Sequence, residues 1–391
     1  MITMRPKRRY HSIIDKVYRL SNLHEAWNAV KANKGSAGID GETILWFEAQ
    51  LNQNLTEIQR LLKENRYEAQ PVLRHYIPKG DGSKRPLGIP TVRDRVVQQA
   101  VRQMIEPLFD RNFYQHSYGF RKERSQHQAL DVVRRARESG YEYVVDLDIQ
   151  SYFDNIPHDL LMEKVKTKIA DGRILDLIEM WLKAGVMEDD QFHDTRRGSP
   201  QGGVISPLLA NIYLDTFDWG MIKQGFPVVR YADDAIIFCR TRKEAERAYK
   251  VAEKILEQKL KLAMHPEKTK IVHFDEGFRF LGFDFWKKYM VLPEDRVRKY
   301  KDRIRHLSRR QQGKNLEETI RELNEVIRGF SNYFRLGNVK NKFRRLDEWI
   351  RMRVRAYIRK RRSMESNWRI PNKVLAQAGL VSMVDLLTNR S

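Results

Sequence analysis

Apolar positions along this chain fall into two rhythms, and the strand-like one stands out first. Val228-Val229-Arg230-Tyr231-Ala232-Asp233-Asp234-Ala235-Ile236-Ile237-Phe238 brings apolar, β-branched residues up to two adjacent aspartates and resumes at once beyond them. That pattern predicts two short strands joined by a tight turn, with two carboxylates at the tip of the hairpin. Tyr143–Ile149 alternates with period two, placing Val145, Leu147 and Ile149 on one face and Asp146 and Asp148 on the other. The chain then turns away through Gln150–Asp154, leaving Tyr152 and Phe153 just past the strand. Val72–Lys79 and Lys84–Pro90 flank a Gly-Asp-Gly-Ser turn and predict a second hairpin. Phe278–Phe285, aromatic-rich around Gly282, predicts a third.

The helical rhythm occupies most of the rest. Residues 1 to about 70 read as helices around a turn-rich loop, Asn33–Gly41. Thr91 caps a helix to about Phe109, and further helices run from Gln126 to Glu138 and between His158 and Lys183. The loop Arg197–Pro207 opens a helix through Leu214, and an amphipathic helix covers Lys243–Leu260. The C-terminal part reads as basic helices near 296–311, 316–335 and 340–362, the last crossed by Arg359-Lys360-Arg361-Arg362. Phe330, Tyr333, Phe334, Trp349 and Tyr357 interleave with that charge; the apolar ones suit the core of a bundle better than base-stacking platforms. No apolar run approaches the ~18 residues of a membrane span, and the basic N-terminus lacks the apolar core of a signal peptide.

Composition sharpens this picture in two places. A single cysteine, Cys239, excludes a disulfide framework or zinc ribbon and suits a reducing compartment. The net charge is +22, from 73 Lys and Arg against 51 Asp and Glu, which points to a polyanionic partner, nucleic acid above all. The excess is concentrated, with 28 basic residues against 11 acidic ones from Lys287 to Ser391. At 391 residues the chain has room for two or three domains.

Two strands therefore supply aspartates: Asp148 from one, Asp233 and Asp234 from the hairpin. Asp-Asp alone reads as an ordinary surface turn; with Asp148 it becomes a carboxylate set suited to hard cations. Three such carboxylates can hold two Mg²⁺ ions about 3.5–4 Å apart for phosphoryl transfer. Lys79 and Arg85 flank the second hairpin's turn and fit either a triphosphate or a nucleic-acid backbone. Gln201 lies in the glycine-rich loop with one donor and one acceptor group. Lys34 and the glycines of Asn33–Gly41 match no phosphate loop and read as a plain turn.

Tyr231-Ala232-Asp233-Asp234 resembles the signature of reverse transcriptases, and its neighbours resemble those of group II intron reverse transcriptase/maturases. The matching stretches are Asn33–Gly41, Ile77–Pro90, Ser117–Arg121, Asp148–Asp154, Gly198–Asn211, His265–Lys270 and Phe280–Phe285, in family order. The resemblance implies an α+β right-hand polymerase, with fingers and palm built on antiparallel sheet and an α-helical thumb/maturase domain behind them. Its divisions would be 1–70 for an N-terminal extension and the start of the fingers, 71–285 for fingers and palm, and 286–391 for the thumb.

It further implies RNA-directed DNA synthesis on two Mg²⁺ ions, with Mn²⁺ as a substitute, held by Asp148, Asp233 and Asp234. Lys79, Arg85 and Gln201 would then hold the incoming dNTP, Phe153 would lie beneath its sugar, and Lys268 would be a palm lysine at the nucleotide. Leu281 and Gly282 would form the primer grip with Tyr231 nearby, and Lys34 and Gly35 would touch template. RNA template, DNA primer and structured intron RNA are the implied partners, the last through Arg359, Lys360, Arg361 and Arg362. A bacterial cytoplasmic location with nucleoid association fits such partners.

Many relatives continue into a His/Cys-rich endonuclease that this sequence does not supply, which suits an intron lineage without it or a domesticated enzyme of repair or defence. Two other readings compete. An RNA-making polymerase is opposed by Phe153, whose ring would collide with a ribose 2′-hydroxyl. A non-catalytic splicing cofactor would leave the aspartate set without a purpose.

Overall fold

The computed structural model describes residues 9–78, 82, 84–189, 191–195, 197–199, 202–309, 313–360 and 369–388. Lys79, Gln201, Arg361 and Arg362, all expected at binding sites, lie outside the described residues. The chain forms two compact units, Met1–Ser125 with Val144–Ile271 and Gln126–Tyr143 with Val272–Ser391. In chain order the strands are β1 (Val72–Pro78), β2 (Lys84–Ile89), β3 (Tyr143–Leu147), β4 (Val186–Glu188), β5 (Gln191–His193), β6 (Val228–Tyr231), β7 (Asp234–Cys239), β8 (Lys270–His273), β9 (Phe278–Phe280), β10 (Phe283–Trp286) and β11 (Tyr289–Val291).

In the first unit the sheet that matters for chemistry has the order β6-β7-β3-β8. β6 and β7 pair antiparallel, from Val228 opposite Ile237 to Tyr231 opposite Asp234. Val228, Val229, Ile236 and Ile237 are buried, so the apolar pattern is spent on the core and the aspartates are left at the sheet's end. Behind lies the helix Ser206–Lys223, which buries Leu208, Leu209, Ile212, Tyr213, Leu214 and Phe217. Apolar over most of its surface, it lies largely buried, with Trp219 and Lys223 left exposed.

A second sheet has the order β2-β1-β4-β5. β1 and β2 form the expected antiparallel hairpin, while β1 and β4 run parallel, with Val72 opposite Val186. β4 and β5, three residues each, are too short to carry a visible alternation in sequence. Thr91 caps the helix Val92–Asp110 as expected, its Oγ1 accepting from the Asp94 amide at 3.0 Å. The helix expected unbroken over Lys243–Leu260 is α-helical over Arg242–Glu253 and ends in a π turn, Lys254–Lys259. There the Tyr213 hydroxyl donates to the Leu260 carbonyl at 2.5 Å and occupies the end of the widened turn.

The second unit packs the helices Gln126–Glu138, Glu294–Leu307, Leu316–Phe334 and Lys340–Arg359 with the sheet β11-β10-β9. Besides Gln126–Tyr143 it takes in the chain from Val272 on, where the β9–β10 hairpin packs on helix. Phe283 lies 5.8 Å from the Tyr333 ring and 5.0 Å from that of Phe334. Tyr300 stacks on Phe330 at 4.1 Å; Phe334 is buried as core, while Phe330, Tyr333, Trp349 and Tyr357 are half-buried. Two short helices, Asn372–Gln377 and Met383–Thr388, follow without a long periodic signal. The buried Asp347 carboxylate accepts from the Met383 and Val384 amides at 2.8 and 3.1 Å, tying down the second. Among the described residues, no helix is long and apolar enough to cross a membrane.

Candidate active site

The hairpin between β6 and β7 turns through Ala232 and Asp233, with Ala232 in the left-handed region at φ +59°. A non-glycine residue there costs energy and persists only where its surroundings enforce it. Arg230 does so from inside the sheet. Its guanidinium is 1% exposed and grips the Asp218 carboxylate, itself 0% exposed, through Nε at 2.8 Å and Nη2 at 2.6 Å. The remaining nitrogen, Nη1, donates to Asn211 Oδ1 at 3.1 Å and to the Ala232 carbonyl at 2.7 Å. Asn211 Nδ2 donates in turn to the Gly119 carbonyl at 2.8 Å. A Cβ on Gly119 would meet the Ala232 nitrogen at 2.2 Å, so only glycine lets that loop close on the turn.

Asp148 stands at the end of β3, tied by its backbone to the segment after the π turn. Its carbonyl accepts from the His265 amide at 2.8 Å, and its amide donates to Thr269 Oγ1 at 3.3 Å. Lys268 thereby reaches it, with Nζ 3.7 Å from Asp148 Oδ2.

The carboxylates act on one another. Burial, with Asp148 next, holds the Asp233 carboxyl above its ordinary range. Asp234 is open to solvent on one side yet ringed by protein; that crowding and the charges of Asp233 and Asp148 push its carboxyl up to about 6. Asp146, two residues before Asp148 on the same strand face, is pushed up to about 7 by burial, then by Asp234 and Asp148, with Lys270 opposing. The charge of Arg85 on β2 opposes the rise at both Asp233 and Asp234. Among the described residues, no three His, Cys, Asp or Glu side chains are gathered tightly enough to enclose a metal ion as they stand. The donor chemistry nevertheless fits one. All-oxygen ligands that hold each other's protons on are relieved by a hard dication.

Some of the residues expected at the nucleotide lie near this turn in the chain's first unit. Ser151 is left-handed at φ +44°, and the short helix Tyr152–Asn155 follows it. Phe153 is half-buried, its ring 5.2 Å from that of Tyr152 and 6.4 Å from that of Phe120. The Phe153 carbonyl accepts from the Ser199 amide at 2.8 Å, seating the glycine-rich loop on its backbone. Gly202, at φ +121°, would bring a Cβ to 2.4 Å from the Gly88 carbonyl of β2. That loop is thus fixed against both the Phe153 turn and the strand carrying Arg85. Tyr231 is half-buried, opposite Asp234.

Lys34 is exposed at φ +49°, on a loop folded against helix Val92–Asp110. A Cβ on Gly35 would meet Arg95 Nη1 at 2.3 Å, and Arg95 donates to the Ser36 carbonyl. In the second unit, Leu281 (φ +44°) and Gly282 (φ +74°) form the β9–β10 turn, and the Tyr333 hydroxyl donates to the Leu281 carbonyl at 2.8 Å. Arg359 is half-buried in the last turn of its helix; Lys360 is exposed at φ +52°.

Sequence reasoning passed over Arg230, Asp218, Asn211 and Phe120. A signal for the first three exists. Arg230 is a charge inside a run that must be buried, so it needs a buried partner. Asn211 and Asp218 lie seven residues apart on one face of a mostly apolar helix, with Asp215 between them on the same face.

The family described as reverse transcriptase (RNA-dependent DNA polymerase) matches residues 77–285, and the group II intron maturase-specific domain matches 297–375. Protein YkfC of Escherichia coli (strain K12) is 35% identical over 332 residues, covering 75% of this chain and 87% of its own length. Group II intron-encoded protein LtrA of Lactococcus lactis subsp. cremoris is 33% identical over 326 residues, covering 66% of this chain and 54% of its own. Nuclear intron maturase 2, mitochondrial, of Arabidopsis thaliana is 25% identical over 195 residues, covering 40% and 26% respectively. The chain spans most of the first relative's length and about half of the second's.

Proposed function

The chain belongs to the reverse transcriptase family, in its group II intron maturase branch, and on that premise we propose that it copies an RNA template into DNA at Asp148, Asp233 and Asp234. The observation that carries the reading is the clamped β6–β7 hairpin, which lifts two carboxylates to where their charges meet that of Asp148. Those three aspartates would hold Mg²⁺, or Mn²⁺ in its place. The bound ions would acidify a primer 3′-hydroxyl and neutralise charge on the transferring phosphate.

The chain's own residues supply position and electrostatics. Arg85, whose charge opposes the rise of the Asp233 and Asp234 carboxyls, suits the phosphates of a dNTP, with Lys79 and Gln201 as further expected contacts. Lys268, an exposed ammonium 3.7 Å from Asp148, suits the same polyphosphate. Phe153 lies where the chain leaves β3 and offers its ring to the nucleotide's sugar. Lys34 and Gly35 present an exposed loop for template, and Leu281 and Gly282 a turn for the primer. The basic second unit, including Arg359 and Lys360, suits structured RNA of the intron kind.

The test is sugar choice. With Phe153 beneath the sugar, no room remains for a 2′-hydroxyl, a steric rejection of NTPs. The expected result is primer extension on RNA with dNTPs and not NTPs, and a fall in the dATP/ATP ratio of kcat/KM for Phe153→Val. A ratio unchanged within about twofold, under half a kcal/mol, removes Phe153 from the sugar site.

A further inference from the structure

Phe120 holds a backbone conformation that a bulky side chain avoids, at φ +59°, and its ring is 43% exposed. Both features cost energy, so the conformation persists only because its surroundings enforce it. The loop around it is over-determined. Tyr118 donates its amide to the Arg230 carbonyl at 2.8 Å, and Gly119 is pressed onto Ala232 of the carboxylate turn. On the other side Arg121, 4% exposed, donates to the carbonyls of Tyr114 at 2.9 Å, Ser117 at 2.8 Å and Asp110 at 3.0 Å, and to Asp110 Oδ1 at 2.5 Å. With Gly119 and Arg121 both fixed, Phe120 has no freedom to relax and its ring is thrust outward. It meets the Phe153 ring edge-on, centroids 6.4 Å apart and planes at 79°. Phe153 is itself half-buried, its ring also meeting that of Tyr152 at 5.2 Å and 62°.

We propose that Phe120 is a positioning residue for sugar selection: its ring holds Phe153 in the orientation that closes the space beside the nucleotide's 2′ carbon. The proposal rests on Phe153 as the ring beneath the sugar. The strain at Phe120 then has a purpose, because a relaxed backbone would withdraw the ring from Phe153.

The test uses Phe120→Gly, since glycine is at ease at this φ. The variant should melt within about 2 °C of wild type or above it, because relief of the left-handed backbone offsets the lost ring. Its dATP/ATP ratio of kcat/KM should nonetheless fall by between about two- and tenfold, the range that an edge-to-face aromatic pair carries. Phe120→Leu, which keeps apolar bulk against Phe153, should recover part of that loss. In a Phe153→Val background, Phe120→Gly should change the ratio no further, since the two rings act as one device. If Phe153→Val shifts the ratio while Phe120→Gly leaves it within twofold, the proposal fails and the reading of Phe153 stands. If neither variant shifts it, the reading of Phe153 fails and takes the proposal with it. A fall in Tm with an unchanged ratio would make the ring ordinary packing and equally overturn it.

Discussion

Replacing Arg230 by methionine removes the group that ties the carboxylate turn to the buried helix behind it. The guanidinium and its partner Asp218 are 1% and 0% exposed, so truncation strands a carboxylate with no counter-charge and no water. Breaking a buried pair from one side costs about 3–5 kcal/mol. At about 2–4 °C per kcal/mol for a unit of this size, the melting temperature should fall by on the order of 10 °C. Arg230→Lys keeps the charge and loses the fork, forfeiting hydrogen bonds to a charged group, about 1.5–3 kcal/mol. The double variant Arg230→Met with Asp218→Leu removes the stranded charge and should recover most of the stability. It should not recover primer extension, because the Ala232 carbonyl, at 2.7 Å from Arg230 Nη1 in the native protein, still lacks its donor and the turn is free to move. Thermal melts and single-turnover extension, taken below every variant's melting range, separate the two effects. If Arg230→Met melts within about 2 °C of wild type, or the double variant regains activity along with stability, the clamp is not what positions the aspartates.

Two further outcomes follow from charge. Asp215 has its Oδ1 buried without a partner, and burial, reinforced by Asp218, pushes its carboxyl up to about 6 from 3.8. The folded form therefore holds that proton more tightly than the unfolded one. Stability is lost as pH rises from about 4 to 6, a penalty of up to about 3 kcal/mol that is absent below the window and complete above it. Asp215→Asn should raise the melting temperature by several degrees at pH 8 and by little at pH 4; equal gains at both would refute the titration. Neutralising Arg359, Lys360, Arg361 and Arg362 together should flatten the slope of log K for structured RNA against log salt, by about 0.7–0.9 for each phosphate that is no longer neutralised. An unchanged slope would move the RNA-binding surface elsewhere on the chain.

The sequence carried the parts of this fold that repeat a period. The β6–β7 hairpin was legible because its β-branched flanks can only be strands, and the helices Gln126–Glu138 and Leu316–Phe334 because their apolar stripes are long. β4, β5 and the two last helices are too short for a period to show. The aspartates were legible as a pair plus one; Asp146 was visible on the Asp148 face but carried no sign of how far burial would raise it. Arg230 and Phe120 were harder, for opposite reasons. An arginine in a strand looks like a surface residue until its partner, twelve positions away on a helix, is seen. A left-handed phenylalanine cannot be read from local preference, since local preference opposes it. Both owe their conformations to tertiary packing at the site.

The measurement closest to the central claim is primer extension with dNTPs on an RNA template by wild type, Asp148→Asn, Asp233→Asn and Asp234→Asn, with template affinity measured on the same preparations. Losing one carboxylate should remove several kcal/mol of transition-state stabilisation, a fall in rate on the order of 10³-fold or more, while template binding is retained because these side chains do not hold the duplex. Extension by any of the three at a rate near wild type would contradict the assignment of the aspartates as the reaction centre.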